Sequence, residues 1–209
     1  RELLPAVAQA VYDGAPQQYG FRPTPLWERQ QVELTETLER TLEGLIDVAG
    51  GYVPTAPELA FGLRGRPPLV LPGEPVVRLR GYIDRVDRAP DGRIRVIDYK
   101  AGSSPISARR LEEGTRVQLP LYALAAQEIL EGEVASGFYW HVTSARPSYL
   151  KLEKVEGGVP GAIETALAHT RRVVSTVRAG QFAPEPPDGG CPTFCPAAPF
   201  CERFTPRSW

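Results

Sequence analysis

The chain has 209 residues, of which 42% are hydrophobic and 23% are charged, as in a single globular domain with a substantial buried core. Its formal net charge of −1 excludes a strongly basic surface, so a nucleic-acid partner would have to be bound by a local patch of positive charge. We find neither a signal-peptide pattern nor an apolar run long enough to span a bilayer, and we expect a cytoplasmic protein without a membrane partner.

The first part of the chain predicts two helices. The first is short and is indicated over Glu2–Tyr12. The second is stronger, because Thr24 suits its cap, Pro25 its first position and Gly50 its end. Apolar residues with roughly helical spacing lie between these signals.

Strands and helices alternate in the rest of the chain. The strand-like runs span residues 58–61, 76–82, 93–99, 136–142 and 149–155, and helices are indicated over about 115–130 and 159–179. The segment from Ala89 to Gly92 is a typical hairpin turn between the second and third runs. This order predicts a mixed α/β domain with a central sheet over residues 1–183, followed by a cysteine-rich tail over 184–209.

The hairpin carries a candidate metal site. Side chains alternate between the faces of a strand, so Asp98 and Lys100 share one face while Ile97 and Tyr99 share the other. Asp84, on the preceding antiparallel strand, comes beside Asp98 if the register allows it. Two such carboxylates suit Mg²⁺ or Mn²⁺.

Lysine at position 100 is itself informative, because the chain has 21 arginines and only three lysines. A compact ammonium group beside two carboxylates is suited to hold an attacking water and to offset charge that builds on a phosphate. The simpler alternative is a solvent-exposed hairpin with an ordinary Asp–Lys pair.

The three cysteines lie close together in the tail, at positions 191, 195 and 201. An odd, clustered set is a poor disulfide framework and a better set of metal ligands.

Four motifs in this order, E-L-A-F, G-Y-I-D-R-V-D, V-I-D-Y-K-A-G and Q-L-P-L-Y, resemble the RecB-like branch of the PD-(D/E)XK nucleases. The tail C-P-T-F-C-P-A-A-P-F-C is similar to the iron–sulfur subgroup of that branch, which includes AddB-type helicase–nuclease subunits and CRISPR-associated exonucleases. The resemblance implies a restriction-endonuclease-like core, with a central mixed sheet flanked by helices, over residues 1–183.

The resemblance also implies roles for individual residues. The implied site consists of metal ligands Asp84 and Asp98, with Glu58 as a further one, catalytic Lys100, and supporting Gln118 and Tyr122. The last two stand four residues apart, which independently places them on one face of a helix. For the neighbouring Arg85 we expect an ion pair, and for Asp87 a place behind the metal ligands or on the surface.

For the tail, the resemblance implies a 4Fe-4S iron–sulfur cluster bound by Cys191, Cys195 and Cys201. Such a cluster takes four thiolates, so we expect the fourth cysteine to precede Arg1 in a longer protein. Zinc is the alternative metal for these cysteines. For His141 and His169 we expect packing or surface positions, since neither matches the histidine that this branch carries on an early helix.

The predicted function is that of a Mg²⁺- or Mn²⁺-dependent DNA exonuclease that acts on single-stranded ends with little sequence preference, as part of a helicase–nuclease in double-strand-break repair. The alternatives are a free-standing CRISPR-associated exonuclease and a catalytically silent DNA-binding module. Arginines 85, 88, 93, 95, 109, 110 and 116 are candidates to neutralise phosphates. Stacking on unpaired bases is open to Tyr122, Tyr139 and Trp140, although core packing is expected of the last two.

Overall fold

The computed structural model describes residues 2–102, 104–184, 191 and 195–202, and helices alternate with strands along them. The helices are α1 Leu4–Tyr19, α2 Pro25–Asp47, α3 Ala108–Glu112, α4 Gln118–Leu130 and α5 Gly158–Arg178. The strands are β1 Val53–Phe61, β2 Leu69–Leu71, β3 Val77–Leu79, β4 Gly81–Arg88, β5 Ile94–Lys100, β6 Val134–His141 and β7 Arg146–Lys151. A short 3-10 turn, Leu152–Lys154, follows β7.

Five of these strands form one mixed sheet in the order β1-β4-β5-β6-β7. β5 and β6 are parallel and are joined through α3 and α4, as a parallel pair requires, whereas the other neighbours are antiparallel. The separate β2–β3 hairpin forms a second, two-stranded sheet. The predicted mixed α/β architecture is therefore confirmed.

Helices cover both faces of the sheet. The main core lies between the sheet and helices α4 and α5, and includes Val96 of β5 and Tyr139 of β6. A smaller core on the opposite face joins Ile97 and Trp140 to Leu45 of α2. Asp98 and Lys100 therefore share the face of α4, whereas Tyr99 packs on the α2 side, as the alternation predicted.

Some predicted boundaries were wrong. α1 continues to Tyr19 rather than ending at Tyr12, because Gly20, with φ of 68°, is the residue that ends it. α4 begins at Gln118 rather than near Thr115, since the backbone N–H groups of Thr115 and Arg116 are both bound by the carbonyl of Arg110. The later start places Pro120 in the first turn.

The run predicted over 76–82 is two strands. Its first part, β3, pairs with β2, and its second part, β4, pairs with β1 and β5. The division falls at Arg80. β2 was not predicted, because a strand of three residues has too few positions to show a period of two.

The hairpin turn at Ala89–Gly92 is confirmed, with the Gly92 N–H donating to the Ala89 carbonyl at 2.9 Å. Thr24 precedes α2 as predicted, but its side chain makes no capping hydrogen bond. Among the described residues, no helix is long and apolar enough to cross a membrane.

The close approach of α2 to the sheet depends on Gly44. A Cβ at this position would lie 2.9 Å from the Trp140 Cη2 atom and 2.9 Å from the Ala145 carbonyl oxygen. We therefore expect Gly44→Ala to lower the free energy of unfolding by about 1–3 kcal/mol through overpacking, measured by denaturant titration.

Gly14→Ala in α1 is the matched control, because a Cβ there meets nothing within 4 Å. That change should be neutral or stabilising by about 0.5–1 kcal/mol. Equal stabilities of the two variants would contradict the proposed packing of α2.

Candidate active site

The site forms where β4 and β5 separate. Their pairing runs from Arg88↔Ile94 to Arg85↔Ile97. Beyond it the Tyr99 N–H donates to the Asp84 Oδ2 atom at 2.8 Å. The Asp84 carboxylate thus accepts the hydrogen bond of a backbone amide that no longer pairs with the backbone of β4. Continuing the same register places Asp84 opposite Asp98, as the sequence analysis required.

β4 is irregular at this point. Ile83 and Val86, three residues apart, both belong to the main core, whereas a regular strand would place them on opposite faces. Across from Asp84, between the pairs Pro57↔Arg85 and Leu59↔Ile83, lies Glu58 with φ of 47°. In this distorted stretch the core residue Ile83 directly precedes Asp84, whose carboxylate binds the Tyr99 N–H at the site.

Glu58 is exposed. In the part of the chain that the structure describes, no group of three His, Cys, Asp or Glu residues is arranged to bind a metal ion. The point where β4 and β5 separate, called the fork below, therefore offers the carboxylates of Asp84 and Asp98. A ligand role for Glu58 stays a prediction.

Asp98 and Lys100 are in direct contact. The Lys100 Nζ atom lies 2.6 Å from the Asp98 Oδ2 atom, and the Asp98 side chain is only 1% exposed. The contact is a close, buried ion pair, and the Lys100 ammonium is the one cation that the described residues place against Oδ2.

Two residues of α4 complete the arrangement. The Lys100 Nζ atom donates to the Gln118 Oε1 atom at 2.9 Å, and the Gln118 Nε2 atom donates to the Tyr122 hydroxyl at 2.8 Å. The structure thus joins Asp98, Lys100, Gln118 and Tyr122 in one polar chain, with Asp84 beside it. Apart from Glu58, these are the residues that the motifs named.

The electrostatics of the site favour a bound cation. Burial raises the pKa of Asp98, and the nearby charge of Asp84 raises it further, while Lys100 and Arg116 oppose the shift. Burial also raises the pKa of Tyr122, against the effect of its bond to Gln118. Two carboxylates that one ammonium does not fully neutralise suit a divalent ion.

The donor set fits Mg²⁺ or Mn²⁺. These ions take oxygen ligands, and Mg²⁺ is commonly held by one or two carboxylates, with waters and substrate phosphates completing the shell. Asp84 and Asp98 supply that number. The burial of Asp98 beside the like charge of Asp84 is the structural sign that favours a cation here.

The opposite face of the hairpin holds a different cluster. Asp87 is fully buried, with its Oδ1 atom 2.6 Å from Arg85 Nε and its Oδ2 atom 2.6 Å from an Arg95 terminal nitrogen. Arg95 also donates to the carbonyls of Val48 and Ala49 at the end of α2. The expected ion pair of Arg85 is confirmed, but the expectation of a surface position for Asp87 was wrong.

The remaining aromatic candidates and the two histidines are held by core packing or by hydrogen bonds to backbone carbonyls. Tyr139 and Trp140 are fully buried, so the alternative that they stack on bases was wrong and the core packing is confirmed. His141 is buried and bonds to the Gly102 carbonyl at 2.7 Å, and His169 bonds to the Glu112 carbonyl at 2.8 Å.

The sequence suggested only base stacking or core packing for Tyr139, and not the contact with Lys100 that the structure shows. Its ring centroid lies 5.3 Å from Lys100 Nζ, and its hydroxyl accepts the Leu119 N–H at 3.3 Å. The parallel register pairs it with Asp98. This register depends on a crossover through α3 and α4, and no local pattern reveals it.

In the tail, Cys191 is buried and Cys195 and Cys201 are half-buried, and all three thiols are free. Residues 185–190, 192–194 and 203–209 lie outside the described part of the chain. The described geometry does not gather the three thiols into a metal site. The predicted iron–sulfur cluster therefore stays a prediction.

The two faces of the hairpin lead to opposite expectations for two conservative changes. Asp87→Asn leaves the buried Arg95 and the half-buried Arg85 without their carboxylate and should lower the free energy of unfolding by about 3–5 kcal/mol. Asp84→Asn keeps an acceptor for the Tyr99 N–H and should change it by less than about 1 kcal/mol. Denaturant titration of both variants without metal measures the difference.

Binding of Mn²⁺, measured by calorimetry, should show the reverse order for those variants that remain folded. Asp84→Asn should weaken it, because a neutral amide replaces an anionic ligand. A structural role for both aspartates would instead give two equally unstable proteins.

Comparison with known proteins agrees with this geometry. The sequence matches the PD-(D/E)XK nuclease superfamily over residues 1–202. It is 42% identical over 114 residues to an ATP-dependent helicase/deoxyribonuclease subunit of Moorella thermoacetica, a match that covers 49% of this chain and 10% of that protein. The proteins of the same name from Symbiobacterium thermophilum and Geobacillus kaustophilus are 39% and 33% identical over 109 and 151 residues.

Those two matches cover 46% and 65% of this chain, and 9% and 13% of the relatives, so the matched segment is about a tenth of each longer protein. The match to the superfamily, by contrast, extends over nearly the whole chain. The chain belongs to the PD-(D/E)XK nuclease superfamily.

Proposed function

We propose that this nuclease domain hydrolyses phosphodiester bonds of DNA with Mg²⁺ or Mn²⁺ held by Asp84 and Asp98. The observation that carries the proposal is the fork of β4 and β5, where Asp84 accepts the Tyr99 N–H and Asp98 contacts the Lys100 ammonium. In an ordinary surface Asp–Lys pair the aspartate would not be only 1% exposed, and the lysine would not be linked onward to Gln118.

The side chains divide the work among them. A bound divalent ion supplies positive charge that polarises the scissile phosphate and acidifies a water. Lys100 positions the attacking water and offsets negative charge on the phosphate. Gln118 orients the Lys100 ammonium by accepting its hydrogen bond at Oε1. Tyr122 orients the Gln118 amide by accepting a hydrogen bond from Nε2. The leaving oxygen departs in line with the attack.

The arginines around the site are less available than their number suggests. Arg85 and Arg95 are bound to the buried Asp87, and Arg93 is paired with Asp91. Arg116 is exposed, and its charge acts on Asp98. It is therefore the arginine we favour for contact with a substrate phosphate.

We propose single-stranded DNA ends as the substrate and an exonuclease as the activity. The support is the resemblance of the motifs and the name of the relatives, which are helicase/deoxyribonuclease subunits. On the same basis we propose that the domain works with a helicase in double-strand-break repair in the cytoplasm. The name of these relatives favours this role over a CRISPR-associated exonuclease.

Cleavage assays with end-labelled single-stranded DNA test the proposal. In the full polypeptide that carries this chain, Asp98→Ala and Lys100→Ala should each lower Mg²⁺-dependent cleavage at least about 100-fold, since each removes charge stabilisation of the transition state. Labels at the 5′ and 3′ ends report polarity, and duplex DNA reports strand preference. Activity without any divalent metal would contradict the proposed metal site.

Lys151→Ala is the matched control, because Lys151 lies at the end of β7 on the far edge of the sheet, and it should cleave like the wild type. Binding of the same DNA is measured by fluorescence anisotropy with Ca²⁺. Tight binding by a wild-type protein that never cleaves would favour the silent DNA-binding module instead.

We propose further that Cys191, Cys195 and Cys201 bind a 4Fe-4S cluster together with a fourth cysteine outside this chain. The support is their spacing and the resemblance of the tail. The cluster would act as a staple for a segment in which the described residues form neither helix nor regular strand beyond a bridge at Cys191.

Protein purified without oxygen should absorb at about 400 nm. Cys195→Ser should abolish the band and lower the melting temperature by about 5 °C or more, whereas Ala197→Ser, in the same tail, should do neither. Stoichiometric zinc without the band would support the rival metal. Unchanged melting of Cys195→Ser would refute the staple.

A further inference from the structure

The Tyr139 ring contacts the Lys100 side chain, and Tyr139 belongs to none of the four motifs that indicated the site. It is fully buried. Its backbone pairs with Asp98 across the parallel strands β5 and β6, and its N–H donates to the Ser148 Oγ atom at 3.2 Å. The residue is therefore fixed in the sheet directly beside the metal-binding carboxylate.

The hydroxyl of Tyr139 holds the start of α4. The first N–H groups of a helix have no partner within it, and Val117 before α4 makes no side-chain cap. Pro120 has no N–H, and the Leu121 N–H donates to the Val117 carbonyl. The Leu119 N–H is the one that Tyr139 accepts, at 3.3 Å.

The ring of Tyr139 supports the ammonium of Lys100. The 5.3 Å between Nζ and the ring centroid is within the range of a cation–π interaction. The same nitrogen contacts Asp98 Oδ2 at 2.6 Å and Gln118 Oε1 at 2.9 Å. The ring thus closes off one side of the lysine, and its hydroxyl fixes the helix that supplies Gln118.

We propose that Tyr139 is a positioning residue that keeps Lys100 and Gln118 in register with Asp98. The proposal rests on the proposed function, in which Lys100 acts in DNA hydrolysis. A buried tyrosine that only filled space could lose its hydroxyl without effect on the site. Here the hydroxyl and the ring act on the two partners of one hydrogen bond.

Tyr139→Phe removes the hydroxyl and keeps the ring. We expect kcat for DNA cleavage to fall about 10-fold, the effect of one lost hydrogen bond on a fixed geometry, with KM changed less than about twofold. Tyr139→Leu also removes the ring and should lower kcat about 100-fold. Tyr12→Phe is the matched control, because it removes a buried hydroxyl bond to Thr35 in the α1–α2 pair. Its kcat should stay unchanged.

Nuclear magnetic resonance gives a second readout that does not depend on cleavage. In lysine-labelled protein, the signal of Lys100 is the one that Lys100→Ala lacks. Its ε-methylene protons should be shifted upfield by the Tyr139 ring in wild type and Tyr139→Phe, but not in Tyr139→Leu. The Leu119 amide should exchange faster in Tyr139→Phe than in wild type.

The two proposals fail in different ways. Full activity of Lys100→Ala would refute the proposed function. Loss of activity in Lys100→Ala with an unchanged kcat in Tyr139→Phe would overturn the positioning role alone. An absent upfield shift of Lys100 in wild-type protein would overturn it as well, even if the Tyr139 variants did not fold.

Discussion

The hydrogen bond from the Tyr99 N–H to the Asp84 carboxylate is the interaction on which the site depends. It lies where backbone pairing between β4 and β5 ends, at a length of 2.8 Å. An amide that leaves a strand ladder inside a protein needs another acceptor. Because a side chain provides it, the strands can part while the acceptor itself is held beside Asp98. The same hydrogen bond therefore allows the strands to separate and orients the Asp84 carboxylate.

The two faces of the hairpin have separate tasks. On the α4 face, like charges meet and burial raises the pKa of Asp98, which disfavours its ionised form in the absence of a cation. On the α2 face, Asp87 binds Arg85 and Arg95, and Arg95 ties the hairpin to the end of α2. The ionic cluster of Asp87, Arg85 and Arg95 thus stabilises the strands that carry the electrostatically unfavourable pair of Asp84 and Asp98. Functional sites commonly contain such unfavourable arrangements, which the rest of the fold compensates.

The sequence predicted the parts of this arrangement that local patterns determine. Alternation along β5 placed Asp98 and Lys100 on one face, the turn at Ala89–Gly92 placed Asp84 opposite, and helical spacing joined Gln118 to Tyr122. What escaped prediction depends on long-range pairing. The burial of Asp87 requires α2 to lie against the sheet, and the place of Tyr139 requires the parallel register of β5 and β6. Neither constraint leaves a periodic trace in the chain.

The central claim is that Asp84 and Asp98, on the two sides of the fork, would together hold a divalent ion. A crystal structure of the protein soaked with Mn²⁺ tests it most directly, since the anomalous signal locates the ion. We predict one main peak within about 2.0–2.3 Å of an oxygen of Asp84 and an oxygen of Asp98. A peak on one carboxylate alone, or none at the fork under conditions that support cleavage, would contradict the account.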